Sequence, residues 1–198
     1  MLGMIPFPNK KYKVILADPP WSFKNYSKKG ESRNANRHYE TMTLSGIKAL
    51  PVNTIADDDC VLFLWTTGPL LDKAFDVISD WGFTYKTLAF TWVKENMKSP
   101  GLFMGGGYWT RSNAELCLLA TKGKPKRINA DVLQVIISPR REHSRKPDEI
   151  RERVERLVSG PYIELFARTK SATWDTWGLE TDKFHTETNF DEIFEKET

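Results

Sequence analysis

The chain of 198 residues is 40% hydrophobic and 28% charged, with a net charge of +3, which is the composition of one ordinary globular domain. It has no apolar run of the about 18 residues that cross a membrane and no apolar secretory-signal core near Met1, so we expect a cytoplasmic protein. Residues 181–198 carry a net charge of −4 and leave +7 on residues 1–180, and a basic body of this kind favours a polyanionic partner.

Apolar runs alternate with amphipathic stretches along the chain. Strands are predicted over Tyr12–Ala17, Val61–Thr66, Thr84–Val93, Glu115–Thr121, Val132–Ile137 and Tyr162–Ala167. Helices are predicted over Pro69–Trp81 and from Pro147 to the Gly160-Pro161 pair, with proline at the first helical position and acids in the first turn. This alternation predicts an α/β domain with a mainly parallel sheet and helices on both faces.

We expect residues 1–180 to form one domain and residues 181–198 to form an acidic tail. The tail has few core residues, and these would suit one short docking helix: Phe184, Phe190, Ile193 and Phe194. Cys60 and Cys117 both lie in apolar segments, so burial is favoured over a disulfide. The three histidines show no metal-ligand spacing, so no metal site is expected.

Polar residues follow the first and the last predicted strand. Asp18 comes directly after the first strand and Arg168 after the last. Ligands of such sheets bind outside the carboxyl ends of the strands. Two long polar segments, Ser22–Thr41 and Lys122–Lys146, are also expected to emerge at this edge and to flank a positively charged cleft.

The first strand runs into Asp18-Pro19-Pro20-Trp21. The prolines fix φ and hold the preceding residues extended, so a carboxylate, backbone carbonyls and an indole converge in a way that suits a planar heterocycle with an exocyclic amine. Acceptors aimed at the amine hydrogens would stabilise the positive charge that develops when the amine attacks. Trp21 would stack on the base, worth ~1–3 kcal/mol. The alternative is a proline turn with the indole in the core, and we favour the platform because a polar loop follows at once.

Further matches follow Asp-Pro-Pro-Trp in order. They read HYETMTLSGIKALPV, LFLWTTGPLLDKAFDVISDWGF, GYWTRSNAELCLLATKGKP, PRREHSRKPDEIRERVERL and GPYIELFAR. With them the chain resembles, from about residue 12 to residue 180, the DPPW-type adenine-N6 methyltransferases. That family includes the catalytic subunit of the messenger-RNA N6-adenosine methyltransferase. In the sequence of its motifs this chain most resembles the short phage and bacterial DNA-modifying members.

The resemblance implies a Rossmann-like fold in the permuted order, with the catalytic residues before the cofactor residues, and S-adenosylmethionine as methyl donor. It places catalysis at Asp18, Pro19, Pro20 and Trp21, with Asp18 also beside the cofactor. It further implies that Lys146 lies near the methionine carboxylate, and it assigns four residues to the nucleoside: Phe166 and Arg168 to adenosine, Lys170 and Ser171 to the ribose region. Permuted amino-methyltransferases often form dimers, so a homodimer is expected.

One position departs from the family pattern. The family commonly has Trp-x-x-x-Gly-Asn where this chain reads WDTWGLE, so Leu179 replaces an amide that could bind the cofactor. We expect either a lower cofactor affinity or a contact from Glu180 to a ribose hydroxyl in its place.

Chemistry on a base requires that the base leave its stack or lie on a single strand. The candidate substrate contacts are Tyr26, Lys28, Arg37, His38, Tyr39, Arg140 and Arg141. We expect DNA as the substrate. Methylation of RNA adenosine is a second possibility, and a non-catalytic nucleic-acid-binding subunit is a third, which Leu179 favours and the intact Asp-Pro-Pro-Trp opposes.

Overall fold

The computed structural model describes residues 5–22, 41–141 and 145–183. Its strands are β1 (Tyr12–Ala17), β2 (Ala56–Thr66), β3 (Thr84–Glu95), β4 (Ala114–Lys122), β5 (Val135–Pro139), β6 (Tyr162–Leu165) and β7 (Trp174–Trp177). Its helices are α1 (Leu44–Lys48), α2 (Val52–Ile55), α3 (Leu71–Asp80) and α4 (Glu149–Leu157), with one 3₁₀ turn over Gly68–Leu70.

The strands form one sheet in the order β5-β3-β4-β2-β1-β6-β7. Strand β1 pairs in parallel with β2 and β6, β6 with β7, and β3 with β5. Strand β4 runs antiparallel to both of its neighbours, β2 and β3. The predicted mainly parallel, Rossmann-like sheet is confirmed, with one reversed strand.

Helices pack on both faces of the sheet, as predicted. Ile15 of β1 faces one apolar layer, which includes Val77 of α3. Leu16, the next residue, faces the other layer, which includes Val154 of α4. This alternation follows from the two-residue period of a strand, and the burial of both layers explains why β1 reads as a continuous apolar run.

The predicted strands are found close to their expected bounds. Strand β2 begins earlier than predicted, at Ala56, and β5 begins later, at Val135. Strand β6 ends at Leu165 because Phe166 adopts a positive φ of 62°, which a strand cannot continue. Helix α4 begins at Glu149, just after the predicted proline. Helices α1 and α2 and strand β7 were not predicted, because elements of 4 or 5 residues carry too few periods to recognise.

The structure corrects the expected position of the segment Lys122–Lys146. Because β4 is antiparallel, Lys122 leaves the sheet at the edge opposite Asp18. The backbone N–H of Lys124 donates to Asp59 near the start of β2, and Asp131 pairs with Arg156 near the end of α4. The expectation that the whole segment flanks the cleft is therefore wrong. Of its described residues, only those after β5 return to the edge of Asp18.

The structure also bears on the cysteines, on metal binding and on membrane spans. Cys60 and Cys117 are buried, as predicted, and burial raises the pKa of Cys60 to about 12 and that of Cys117 well above its ordinary value. Across the three described ranges, no group of three side chains that could hold a metal occurs, and none of the helices there is long and apolar enough to span a bilayer. Most of the acidic tail lies outside the described residues.

Candidate active site

Asp18 lies at the carboxyl end of β1, between β2 and β6 in the middle of the sheet. The following turn is fixed by its own backbone: the N–H of Trp21 donates to the Pro19 carbonyl (2.8 Å) and the N–H of Met42 to the Pro20 carbonyl (2.9 Å). Both prolines are buried. The carboxylate therefore lies at the predicted edge of the sheet, on a turn with little freedom to move.

Trp21 is buried, with 7% of its surface exposed. Its indole Nε1 donates to the Trp65 carbonyl on β2 (3.0 Å), and its ring belongs to the apolar layer that contains Ile15. The expectation of an unburied platform is wrong, because the neighbouring strand supplies an acceptor that satisfies the one polar atom of the indole. A catalytic role for Trp21 stays a prediction.

Lys146 joins two carboxylates from different strands. Its Nζ lies 2.5 Å from Oδ2 of Asp18 and 3.2 Å from Oε2 of Glu115 at the start of β4. Glu115 also forms an ion pair with Lys94 of β3. The four charges, which we call the ion cluster (Asp18, Lys146, Glu115 and Lys94), sum to zero, and each side chain is largely shielded, with at most 23% of its surface exposed.

Burial and pairing act in opposite directions on the pKa values of this cluster. Burial disfavours the charged form of Glu115, but the ammonium groups of Lys146 and Lys94 outweigh it and lower its pKa to about 2. Burial likewise disfavours the charged form of Lys146, but Asp18 and Glu115 hold its pKa above the ordinary value. Both groups are therefore ionised at neutral pH.

A cleft opens beside Asp18 at this edge. Its lining is Asp18, Arg145, Lys146, Pro147, Asp148, Ile150, Arg151, Glu164, Phe166, Arg168 and Thr169. Glu164 of β6 accepts from Arg151 of α4 (2.7 Å), and burial raises the pKa of Glu164 although Arg151 partly offsets it. Carboxylates, cations and one aromatic ring thus share one small cleft.

The predicted cofactor residues divide into two groups. Asp18, Lys146, Phe166 and Arg168 line the same cleft. Glu180 lies beside it, with Oε2 3.3 Å from Nε of Arg168.

Lys170 and Ser171 are not among the lining residues. Lys170 pairs with Asp182 on the surface (2.7 Å), and the Ser171 hydroxyl lies 3.5 Å from that of Thr173. Leu179 is 48% exposed.

The predicted substrate residues are only partly described. Arg140 is exposed, and its guanidinium lies 4.2 Å from the centre of the Phe103 ring. Arg141 donates to Asp148 (2.7 Å) and to the Lys146 carbonyl (3.1 Å), so its charge is already partnered. The other five lie outside the described residues: Tyr26, Lys28, Arg37, His38 and Tyr39.

Sequence reasoning missed six charged residues of the site: Lys94, Glu115, Arg145, Asp148, Arg151 and Glu164. Glu115 and Glu164 could have been recognised from the sequence, because each is a single carboxylate within an apolar strand, in ELCLLA and YIELFA. A charge in such a position is rarely buried without a partner.

The sheet and the cleft fit the class of S-adenosylmethionine-dependent methyltransferases. The chain belongs to the MT-A70 family, whose sequence profile matches residues 12–180; this is a family of N6-adenine methyltransferases. It is 37% identical over 191 residues to the Type II methyltransferase M.MunI of a Mycoplasma species, across 87% of this chain and 79% of that protein. It is 33% and 32% identical over 180 residues to the N(6)-adenosine-methyltransferase METTL3 of zebrafish and of human, across 88% of this chain but 29% of each METTL3.

Methyltransferases of this family use S-adenosylmethionine as the methyl donor. The residues of the cleft fit that molecule: its amino-acid end carries one ammonium and one carboxylate, and the cleft offers Asp18 and Glu164 for the first and Arg145 and Lys146 for the second. Phe166 offers an aromatic surface for its adenine.

We expect Trp21→Ala to lower the free energy of unfolding by about 3–5 kcal/mol, the usual cost of removing a buried aromatic side chain. Urea unfolding followed by circular dichroism measures it. Trp109→Ala is the matched control, because Trp109 is 100% exposed and should change stability by less than about 0.5 kcal/mol. Equal stabilities of the two variants would contradict the buried position of Trp21.

Glu115→Gln should show how the ion cluster contributes to stability. The folded pKa of Glu115 is lowered from 4.5 to about 2, so its contribution is complete above pH 4.5 and is lost as the pH falls toward 2. The stability difference between wild type and Glu115→Gln should therefore be constant near neutral pH and shrink in acid, by about 2 kcal/mol at pH 3.

Urea unfolding between pH 3 and pH 7 measures this difference. Val77→Ala, a neutral substitution in the buried layer, is the control, and its effect should not depend on pH. If the loss caused by Glu115→Gln is equally independent of pH, the ion cluster does not stabilise the folded state through charge.

Proposed function

We propose that this chain transfers a methyl group to the N6 amine of adenine in DNA, with Asp18 as the acceptor for that amine. The main support for the proposal is the position of Asp18, which lines the cleft together with Lys146 and Phe166. A 2.5 Å contact with the Lys146 ammonium holds its carboxylate there. A carboxylate fixed before the substrate arrives needs no reorganisation during the reaction, and preorganised groups of this kind are the main source of electrostatic catalysis.

The chemistry follows from the substrate amine. The N6 lone pair of adenine is delocalised into the ring, so the amine is a poor nucleophile and becomes positively charged as it attacks. Bound S-adenosylmethionine supplies the electrophilic methyl group. The Asp18 carboxylate accepts a hydrogen bond from the amine, stabilises the developing positive charge and takes up the proton that N6 loses. Lys146 orients the carboxylate, and Glu115 in turn positions Lys146.

In this proposal Trp21 positions the turn as well as meeting the base. Its hydrogen bond to the Trp65 carbonyl ties the turn after β1 to the end of β2. The small exposed part of the ring, 7%, limits its contact with the base to an edge.

The choice of DNA rests on the relatives. M.MunI, named as a Type II methyltransferase, matches this chain over 79% of its own length, which supports DNA as the proposed substrate. METTL3, named as an N(6)-adenosine-methyltransferase, matches at 32–33% identity and makes RNA the second candidate. A homodimer and a cytoplasmic location stay predictions, the first open to sedimentation analysis.

We expect the purified chain to label DNA, with N6-methyladenine as the product. The assay supplies radiolabelled S-adenosylmethionine with double-stranded DNA, single-stranded DNA or RNA in parallel, and mass spectrometry of the digested nucleosides identifies the product. Labelling of RNA alone would reverse the choice of substrate. No labelling of any nucleic acid, with retained nucleic-acid binding, would indicate the non-catalytic subunit.

Asp18→Asn should lower kcat by about 10²–10³-fold, the usual cost of losing one preorganised electrostatic group. The amide keeps the shape of the side chain, and Lys146 keeps its contact with Glu115, so the fold should remain. Calorimetry should still detect binding of S-adenosylhomocysteine, weakened only by the lost charge of Asp18, because Glu164 still lines the cleft. Asp131→Asn is the matched control, because Asp131 is an exposed acid at the opposite edge. Turnover of Asp18→Asn within about threefold of wild type would exclude Asp18 from the mechanism.

A further inference from the structure

The loop between β3 and β4, residues 96–113, carries several exposed apolar side chains. Trp109 is 100% exposed, Met104 70% and Tyr108 50%. Large apolar side chains grouped on a surface commonly mark an interaction site, and a fully exposed tryptophan is unusual even there. We call residues 96–113 the β3–β4 loop.

The β3–β4 loop lies at the same edge of the sheet as Asp18. Strand β3 ends there because β4, its partner, is antiparallel both to β3 and to β2. The two residues at the base of the loop, Lys94 and Glu115, form an ion pair, and Glu115 contacts Lys146, which contacts Asp18. The base of the loop is therefore part of the ion cluster.

The loop is held in a defined shape by its backbone. The N–H of Phe103 donates to the Lys94 carbonyl (2.8 Å), and the N–H of Gly105 donates to the Ser112 carbonyl (3.1 Å). A Cβ on Gly107 would lie 1.9 Å from the Thr110 carbonyl oxygen, whereas a Cβ on Gly106 would meet nothing within 4 Å. The approach of the chain beside Trp109 thus requires glycine at position 107.

The charge around the loop fits a polyanion. Residues 96–113 include Lys98 and Arg111 but no acid. The exposed Arg140 stacks on Phe103 of the loop (4.2 Å), and its backbone N–H donates to the Glu95 carbonyl (3.2 Å). An aromatic tip flanked by cations, at the edge where adenine must approach, favours nucleic acid over a second copy of the chain.

We propose that Trp109 inserts into double-stranded DNA next to the target adenine and keeps that adenine out of the stack. The inference rests on the proposed function, because it assumes that adenine in DNA is the substrate. An adenine in a duplex must leave its stack before its amine can be methylated, and an apolar wedge between base steps offsets the cost of unstacking.

The experiment compares methylation of one plasmid-derived DNA as duplex and as heat-denatured single strands. Trp109→Ala should lower methylation of the duplex about tenfold, the effect expected for one stacked base, and leave the single strands unchanged. Trp109→Phe should recover part of the loss. Gly107→Ala should reproduce the duplex defect, and Gly106→Ala is the matched control that should behave as wild type.

Each other outcome overturns the inference. Equal losses on duplex and single strands would mean that Trp109 does not act through unstacking, and unchanged activity on both would remove it from DNA binding. A wild-type chain active only on single strands would leave the wedge without a function. A smaller sedimenting species for Trp109→Ala would assign the loop to contact with a second copy. Failure of the proposed function looks different, because the wild type would then label neither form of DNA.

Discussion

The arrangement of this site depends on one ammonium group. Lys146 precedes α4, yet its Nζ contacts Asp18 after β1 and Glu115 at the start of β4. Burying these charges is costly unless each has a partner, and removing one leaves another unpaired in a poorly solvated place. The same contacts therefore fix three separate parts of the chain to one another and fix the direction of the Asp18 carboxylate. The contacts that stabilise the fold at this point are therefore the same contacts that set the geometry of the site.

That ammonium finds two carboxylates because β4 is reversed. In a parallel β4, Glu115 would begin the strand at the edge opposite Asp18, and Lys146 would have one partner. The reversal has two further consequences: it sends Lys122 and Lys124 to the edge remote from the cleft, and it brings the β3–β4 loop to the edge of Asp18. The direction of this one strand thus decides which charges and which loop lie at the same edge of the sheet as Asp18.

The sequence predicts the strands and their burial well, because periodicity and apolar content are local properties. Asp18 could be assigned to a strand end for the same reason. The burial of Trp21 could not be predicted, because its hydrogen-bond partner, the Trp65 carbonyl, lies 44 residues away along the chain. The neighbouring sequence shows only that a polar loop follows Trp21. The direction of β4 and the contact of Lys146 with Glu115 are equally non-local. The resemblance supplied Lys146, Phe166 and Arg168 as neighbours, and the cleft brings these three together.

The depth of Asp18 limits how a substrate can meet it. Its side chain is 23% exposed and that of Lys146 13%, and the turn after it is held by buried prolines, so the carboxylate cannot extend toward a base that stays in a stack. In the proposed function it is therefore the adenine that must move. The proposed function therefore divides into two tasks. The ion cluster would stabilise the reacting amine once the base has arrived, and exposed parts of the same edge would bring the base there. The two indoles illustrate that division. Trp21 is fixed in the core by a hydrogen bond, whereas Trp109 is fully exposed and follows a tight approach of the chain that requires glycine at position 107.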